Sequence, residues 1–529
     1  MSAEVTRRHL LRSLGAAGGA GVMFEAMRAL GVAGTAEAET ANYQAPKRGD
    51  FITTGRVAPR VVILGAGVAG LATAYELGKA GYQCTILEAK GRVGGRNWTV
   101  REGTAETDLD GHSQYSRFAP GQYFNAGPAR IAQSHVTLDY CRELGVPVEA
   151  FVNQNANAYV YNQNMPAPTR FRTAKADMYG YVSELLSKAL DQGALDQRVS
   201  AVDKDRLLTF LSDWGAVGPK ADGYAYRGTD RRGYVVPPGA GEEAGTPLGA
   251  PDAISDVLAR QVGRNFSFEF GYDQAMMMMQ PVGGMDAIPR ALVDAVGAGN
   301  LRLGAKVTRV ADRATGVDVV FSDRYGVEYL IQAEFCVSTL PPHVMARVPT
   351  NLDPRVGAAL RYPVALPVGK LGLEQRRRWW ETDLRIYGGI TATDLDIVQI
   401  WYPSSGFHTQ RGVLLGYYNV GPDALTYSAL TPAQRIDRAL TQGERVHGPT
   451  YRAEYASGFS VAWHRTPHLE AGWVEWPSRT SGEYALLNSP AGHVYFAGDW
   501  LTYEIAWQAG AFASARRAVT AIHQRVMAS

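Results

Sequence analysis

Gly65, Gly67 and Gly70 follow the apolar run at 61–64 in a G-x-G-x-x-G spacing, at the point where a helix at 71–79 is predicted to begin. The first glycine permits a tight turn, the second lets a pyrophosphate approach the backbone, and the third lets helix and strand pack closely. The helix N-terminus adds N–H donors and a favourable dipole for an anion. Glu88 closes the next apolar run, at the distance where a carboxylate binds a ribose hydroxyl. The spacing points to a dinucleotide. "AKGRVGGRNW" then supplies a second glycine-arginine phosphate turn through Gly91, Arg92, Gly94, Gly95 and Arg96. Near the C-terminus "HVYFAGDW" is a strand ending in Gly498 and Asp499, just before a helix. A nicotinamide cofactor would need neither, whereas a long flavin dinucleotide uses a distant turn and an acid for its ribityl and phosphate groups. FAD is the expected cofactor. Two cations stand apart from these turns. Arg130, in "FNAGPARIAQSH", has a Gly-Pro turn before it and apolar neighbours, a setting in which an arginine needs an anionic partner. Lys370, in "VALPVGKLGLE", interrupts an apolar strand, which is costly unless the amine has a task.

The remaining chain must position these groups. Its 529 residues predict two or three domains. A formal net charge of +2 excludes the strongly basic field that nucleic acid demands, so the expected partner is a small molecule. Cys84, Cys141 and Cys336 are odd in number and far apart, which fits buried free thiols. His464 and His468, in "WHRTPH", have helical ligand spacing but sit beside a proline with no third ligand, so no metal is expected. The N-terminus carries Arg7 and Arg8, a weakly apolar stretch and an Ala36-Glu37-Ala38 site, the order of a twin-arginine export signal. The apolar stretch is too short and too polar to span a bilayer, and no later segment reads as one.

Strand-helix-strand at 61–87 is followed by helical periodicity at 131–275, interrupted by a Gly/Pro-rich loop at 216–251. Strands return from about 300, and a last helix is predicted at 505–525. The expected fold is α/β and discontinuous in sequence. A Rossmann-like FAD-binding domain of glutathione-reductase type is expected at 58–118, 276–345 and 485–525. A mixed-sheet substrate domain takes 119–130 and 346–484, and a helical domain 131–275, after a signal at 1–38 and an arm at 39–57.

"GAGVAGL…E…GRVGGR", "QPVGGMD" at 280–286 and "VYFAGDW…AWQAGAFASA" stand in an order that resembles the flavin-dependent amine oxidase superfamily. The similarity spans most of 58–523, and "GPARI" is similar to the Gly-Pro-x-Arg segment of the bacterial L-amino acid oxidase branch. The resemblance implies that Arg130 holds a substrate carboxylate, for which a guanidinium fork is well matched. It counts Gly127 among the cofactor-binding residues and puts the Val307 backbone, in "KVTRV", on the adenine side. Some relatives tether the flavin to a cysteine where "LEAGW" here has Gly472, so FAD is expected to be non-covalent. Lys370 matches a lysine that holds a water against flavin N5 and promotes reaction with oxygen. A second carboxylate donor is expected from "RGVLLGYYNVGPDA" as Tyr417, with Tyr418 as the alternative, since neighbouring strand residues face opposite sides. Trp473 and Trp507 match two aromatics that flank the substrate nitrogen, and the methionines at 276–279 are expected to pack as core.

The implied reaction is oxidative deamination of an L-amino acid, of large apolar or aromatic side chain or of broad range, to a 2-oxo acid, ammonia and hydrogen peroxide. An amine or polyamine oxidase would not use Arg130. An amino acid 2-monooxygenase would keep it yet form an amide, and a flavin-holding interaction protein would have no use for Lys370, Trp507 and Arg130. The expected partners are the L-amino acid, oxygen and a second copy of the chain, in a homodimer or higher oligomer.

Overall fold

A computed structural model describes residues 46–47, 49–51, 59–263, 266 and 271–528. The export signal expected at 1–38, and all of the arm but a few residues, lie outside the described residues. Strand β1 (Arg60–Leu64) is apolar on both faces and buried after its first residue, as a central parallel strand must be. It leads through the glycine turn into helix α1 (Val68–Lys79) and on to strand β2 (Gln83–Glu88). In the five-stranded sheet the order is Leu301–Leu303, β2, β1, Phe335–Ser338, Val494–Phe496, and all pairs are parallel. Its strands come from three distant parts of the sequence. Gly65, Glu88, Thr339 and Gly498 therefore all fall at the carboxyl ends of strands, where open parallel sheets bind ligands. The helix α1 shares one apolar core with the C-terminal helix, which runs from Gln508 to Ala528 and contributes Phe512, Val519 and Ile522.

A mixed seven-stranded sheet carries the second half of the site. Strand β3 (Val368–Gln375) is buried along its whole length between Tyr455–Ala462 and strand β4 (Gly412–Val420). Lys370 faces Tyr418 across the ladder and Leu371 faces Tyr417. The next pair joins Gly372 to Leu415, so Gly416 is an extra residue, a bulge that resets which face each later side chain takes. Leu371, Leu373, Leu414 and Tyr417 pack into one core on one face, while Val368, Leu415 and Tyr418 join another on the opposite face.

The region 131–275 is less helical than expected. Helices Phe171–Asp191 and Ala201–Gly215 are present, but Val148–Val152 pairs with Met277–Pro281 and Tyr159–Tyr161 joins the seven-stranded sheet beside Ile390–Thr393. The methionine run is accordingly a strand: Met278 is core, while Met276 and Met277 are exposed. Within 216–251, Tyr234–Val236 and Thr246–Pro247 form a short exposed antiparallel pair. Among the described residues no helix is long and apolar enough to cross a membrane.

Gly70 shows how tightly α1 must approach β1, because a Cβ there would lie 2.0 Å from the Gly65 carbonyl oxygen. Gly78, in the same helix, has open space around it. Gly70→Ala is therefore expected to lower stability by about 1–3 kcal/mol. Gly78→Ala should raise it by roughly 0.5–1 kcal/mol. Thermal unfolding of the two variants checks the contrast; equal and opposite shifts in the other sense would contradict the packing.

Candidate active site

A cavity of about 1180 Å³ opens along the carboxyl ends of the parallel strands and reaches the Lys370 face of the seven-stranded sheet. At the first glycine turn Gly65 adopts φ +99° and donates its N–H to Leu87 O at 2.8 Å. Gly67 starts α1 with no side-chain cap, and a Cβ on it would meet nothing within 4 Å. The second turn is laid against the first: Gly94 donates to Ala66 O at 2.8 Å and bridges Gly67. The Glu88 carboxylate accepts N–H bonds from Ala66 and Lys90, each at 2.8 Å, while its burial raises its pKa. Val307 lines the same cavity.

Arg92 and Arg96 have different placements. Arg96 lines the cavity, forms an ion pair with Asp499 and donates to Gly472 O at 2.8 Å. Asp499 also accepts the Ala506 N–H at 2.9 Å, and Gly498 donates to Ser514 Oγ at 3.1 Å, so the late turn is braced from both sides. Arg92 instead turns away from the cavity. It donates to Gly95 O at 2.7 Å, and its guanidinium lies 4.2 Å from the Trp98 ring centroid, with burial pulling its pKa down to about 10. The expectation that Arg92 contacts the cofactor is corrected to a brace on the glycine turn. Gly70 likewise serves helix packing and does not line the cavity.

Arg130 is set by its backbone. The preceding strand Phe124–Asn125 pairs with Thr99–Val100, and Ile131 exchanges both backbone hydrogen bonds with Met279, at 2.7 and 2.9 Å. A Cβ at Gly127 would lie 1.8 Å from Arg96 O, so only glycine lets these two turns meet. The Gly127 carbonyl accepts a hydrogen bond from Lys370 Nζ. Lys370 is 4% exposed, its Nζ lies 4.4 Å from the Tyr418 ring centroid and 5.3 Å from that of Trp401. The Arg130 guanidinium lies 4.6 Å from the same Trp401 centroid. Burial pulls the Arg130 pKa down to about 10. Burial, with the Arg130 charge added, pushes Lys370 down to about 7.

Tyr418 lines the cavity with Lys370, and burial raises its phenol pKa against the pull of Arg130. Tyr417 does not line it. Its ring is fully buried on the other face, 4.5 Å from the Tyr427 centroid, with its pKa raised to about 12 by burial. Of the two tyrosines the sequence offers, the structure brings Tyr418 and not Tyr417 into the cavity, because Lys370 and its ladder partner share a face. Trp473 and Trp507 both line the cavity. The Trp507 indole donates to Asp273 Oδ2 at 2.8 Å and meets the His135 ring edge to face at 4.8 Å. Burial lowers the His135 pKa to about 4, so this ring is neutral at pH 7.

Sequence reasoning missed Trp401 and Asp273. Trp401 lies in the short strand Gln399–Trp401, and Asp273 in a stretch of no recognisable period. Asn97 and Gln508 were missed too, although both lie inside quoted motifs. These two amides line the cavity, are nearly fully buried, and neither their nitrogen nor their oxygen has a partner among the described residues. Buried amides without partners, an uncapped helix start and a glycine cradle fit a long polar dinucleotide. All three cysteines are buried outside the cavity lining, which excludes a thioether to the cofactor.

The Lys370 assignment has a thermodynamic consequence. The folded protein holds this amine neutral above about pH 7, whereas the unfolded chain keeps it protonated up to 10.5. Between these values the unfolded state binds more protons, so burying the amine costs stability, and that cost shrinks as pH rises from 7 toward 10.5. Relative to Lys370→Met, the wild-type stability measured by denaturant should rise from pH 7 to 9, by up to about 1.4 kcal/mol per unit. Parallel pH profiles would contradict the buried neutral amine.

The chain matches the family described as flavin containing amine oxidoreductase over residues 68–523. It is 25% identical to a putative L-amino-acid oxidase of Bacillus subtilis, over 86% of this chain and 93% of that protein. It is 26% identical to the L-amino-acid oxidase of Protobothrops flavoviridis (84% and 85%) and 28% identical to that of Siganus canaliculatus (88% and 86%). Among solved structures, cyclohexylamine oxidase from Brevibacterium oxydans superposes with a TM-score of 0.59 at 18% identity, over 89% of this chain and all of that one. Putrescine oxidase bound to putrescine gives 0.57 at 17% identity, over 88% and 99%. The superpositions share the fold, and the family match covers nearly all of the chain from α1 to the C-terminal helix: this protein belongs to the flavin-containing amine oxidoreductases, with FAD as its cofactor.

Proposed function

We propose that the protein is an FAD-dependent L-amino acid oxidase, which converts an L-amino acid and oxygen to a 2-oxo acid, ammonia and hydrogen peroxide. One observation carries the reading: Arg130, Lys370 and Tyr418 converge on Trp401 in the cavity that holds the dinucleotide turns. The relatives named L-amino-acid oxidases support it. Plain amines have no carboxylate to occupy a buried guanidinium of this kind.

In this reading Gly65, Gly67, Glu88, Arg96, Val307 and Asp499 hold the FAD. Bound there, FAD would supply a two-electron acceptor for oxidation of the substrate amine and a donor to oxygen. Arg130, beside the Trp401 ring, takes the carboxylate on its fork, and the Tyr418 hydroxyl supplies a second hydrogen bond. Trp473 and Trp507 give flat apolar walls that exclude water around a neutral amine. Lys370, with a pKa near 7, can hold or release a proton at Nζ close to neutral pH, and its positive charge favours the reduction of oxygen beside it. The same reading takes the chain as exported through Arg7 and Arg8 and as assembled into a homodimer or higher oligomer.

The test is peroxide and ammonia release with L-amino acids, D-amino acids and amines. Turnover of amines alone would contradict the proposal, and an amide with carbon dioxide would make the protein a monooxygenase. Arg130→Met should lower kcat/KM for amino acids about 100-fold, the order of a charged hydrogen-bonded pair. Tyr418→Phe should raise KM while Tyr417→Phe leaves it unchanged; the reverse order would return the role to Tyr417. Lysine at both Arg7 and Arg8 should keep the protein in the cytoplasmic fraction, and undiminished export would contradict the twin-arginine reading.

A further inference from the structure

Asp273 and Glu504 line the same cavity as Arg130. They arrive from different directions. Asp273 precedes the strand Met277–Pro281, and Glu504 lies in the turn before the C-terminal helix. Asp273 spends one oxygen on the Trp507 indole. Burial and the charge of Asp273 both raise the pKa of Glu504, so the two acids sense each other. Arg130 feels Asp273 as well, which puts a cation and then an acidic pair within one cavity.

His135 points independently to a polar occupant. It is 3% exposed, lines the cavity, and neither of its ring nitrogens has a hydrogen-bond partner among the described residues. His135 is neutral at pH 7, so it does not compensate the acids. An apolar or aromatic substrate side chain would cover these groups without pairing them, which is the contact such a site discriminates against. A flexible aliphatic stem ending in a cation would satisfy them. Its charged end would meet carboxylates instead of water.

We propose that the preferred substrate is an L-amino acid with a cationic side chain, its carboxylate on Arg130 and its side-chain charge held by Asp273 and Glu504. This rests on the oxidase reading above and replaces the expectation of an aromatic or large apolar side chain. Asp273→Asn removes the charge yet keeps an oxygen that can accept from the Trp507 indole.

The experiment compares kcat/KM of the purified holoenzyme for L-lysine, L-arginine, L-leucine and L-phenylalanine, in the wild type and in Asp273→Asn. The two cationic substrates should lead by about tenfold or more in the wild type, the order of one charge-assisted contact. The variant should lose about that factor for the cationic pair while the neutral pair stays within about twofold. A wild-type preference for leucine or phenylalanine overturns this inference alone. An equal loss for all four in Asp273→Asn also overturns it, assigning Asp273 to holding the indole. Oxidation of no L-amino acid overturns the oxidase reading and this inference with it.

Discussion

Arg130 and Lys370 both lie against the Trp401 indole, 4.6 and 5.3 Å from its ring centroid, and two cations so placed in a buried site cannot both stay charged without cost. An arginine keeps its proton and a lysine can give its own up. The structure resolves the conflict that way, with Lys370 brought to about 7 and held by the Gly127 carbonyl. The rest of the site follows from this arrangement. Burial is the main cause of the low Lys370 pKa and the Arg130 charge adds to it, so in the proposed reaction a carboxylate arriving at Arg130 would relieve only that smaller part.

This pair is positioned by parts of the chain that are remote in sequence. Arg130 depends on the bridge between Ile131 and Met279, and Lys370 on a ladder shared with β4 and with Tyr455–Ala462. Gly127 joins them to the cofactor turns, since its Cα lies against the Arg96 backbone and Arg96 pairs with Asp499. Removing any one of these contacts would move both the dinucleotide cradle and the substrate anchor.

The dinucleotide turn was legible in the sequence because its chemistry is local: three glycines, a helix start and an acid all lie within one strand-helix-strand unit. Arg130 and Lys370 were legible as charges in apolar surroundings. The side of Tyr417 and Tyr418 was not, because β4 is buried on both faces and the bulge at Gly416 shifts its parity without a polar-apolar alternation to mark it. Arg92 misled for a related reason. Its spacing in the glycine turn is that of a phosphate ligand, and only tertiary packing turns its guanidinium onto Trp98. Trp401 and Asp273 carry no local signal, since their roles exist only once the seven-stranded sheet and the segment before Met277–Pro281 meet over the cavity. The helical reading of 131–275 failed at its start, where Tyr159–Tyr161 is too short to show a period of its own.

In the proposed reaction the cavity recognises a carboxylate before the amine is oxidised. The direct measurement is anaerobic mixing of the flavin-loaded enzyme with an L-amino acid, its D-enantiomer and its decarboxylated amine, following the visible absorbance of the flavin. The L-amino acid should bleach the flavin rapidly and the other two should not on the same timescale. Bleaching by the amine as fast as by the amino acid would contradict it.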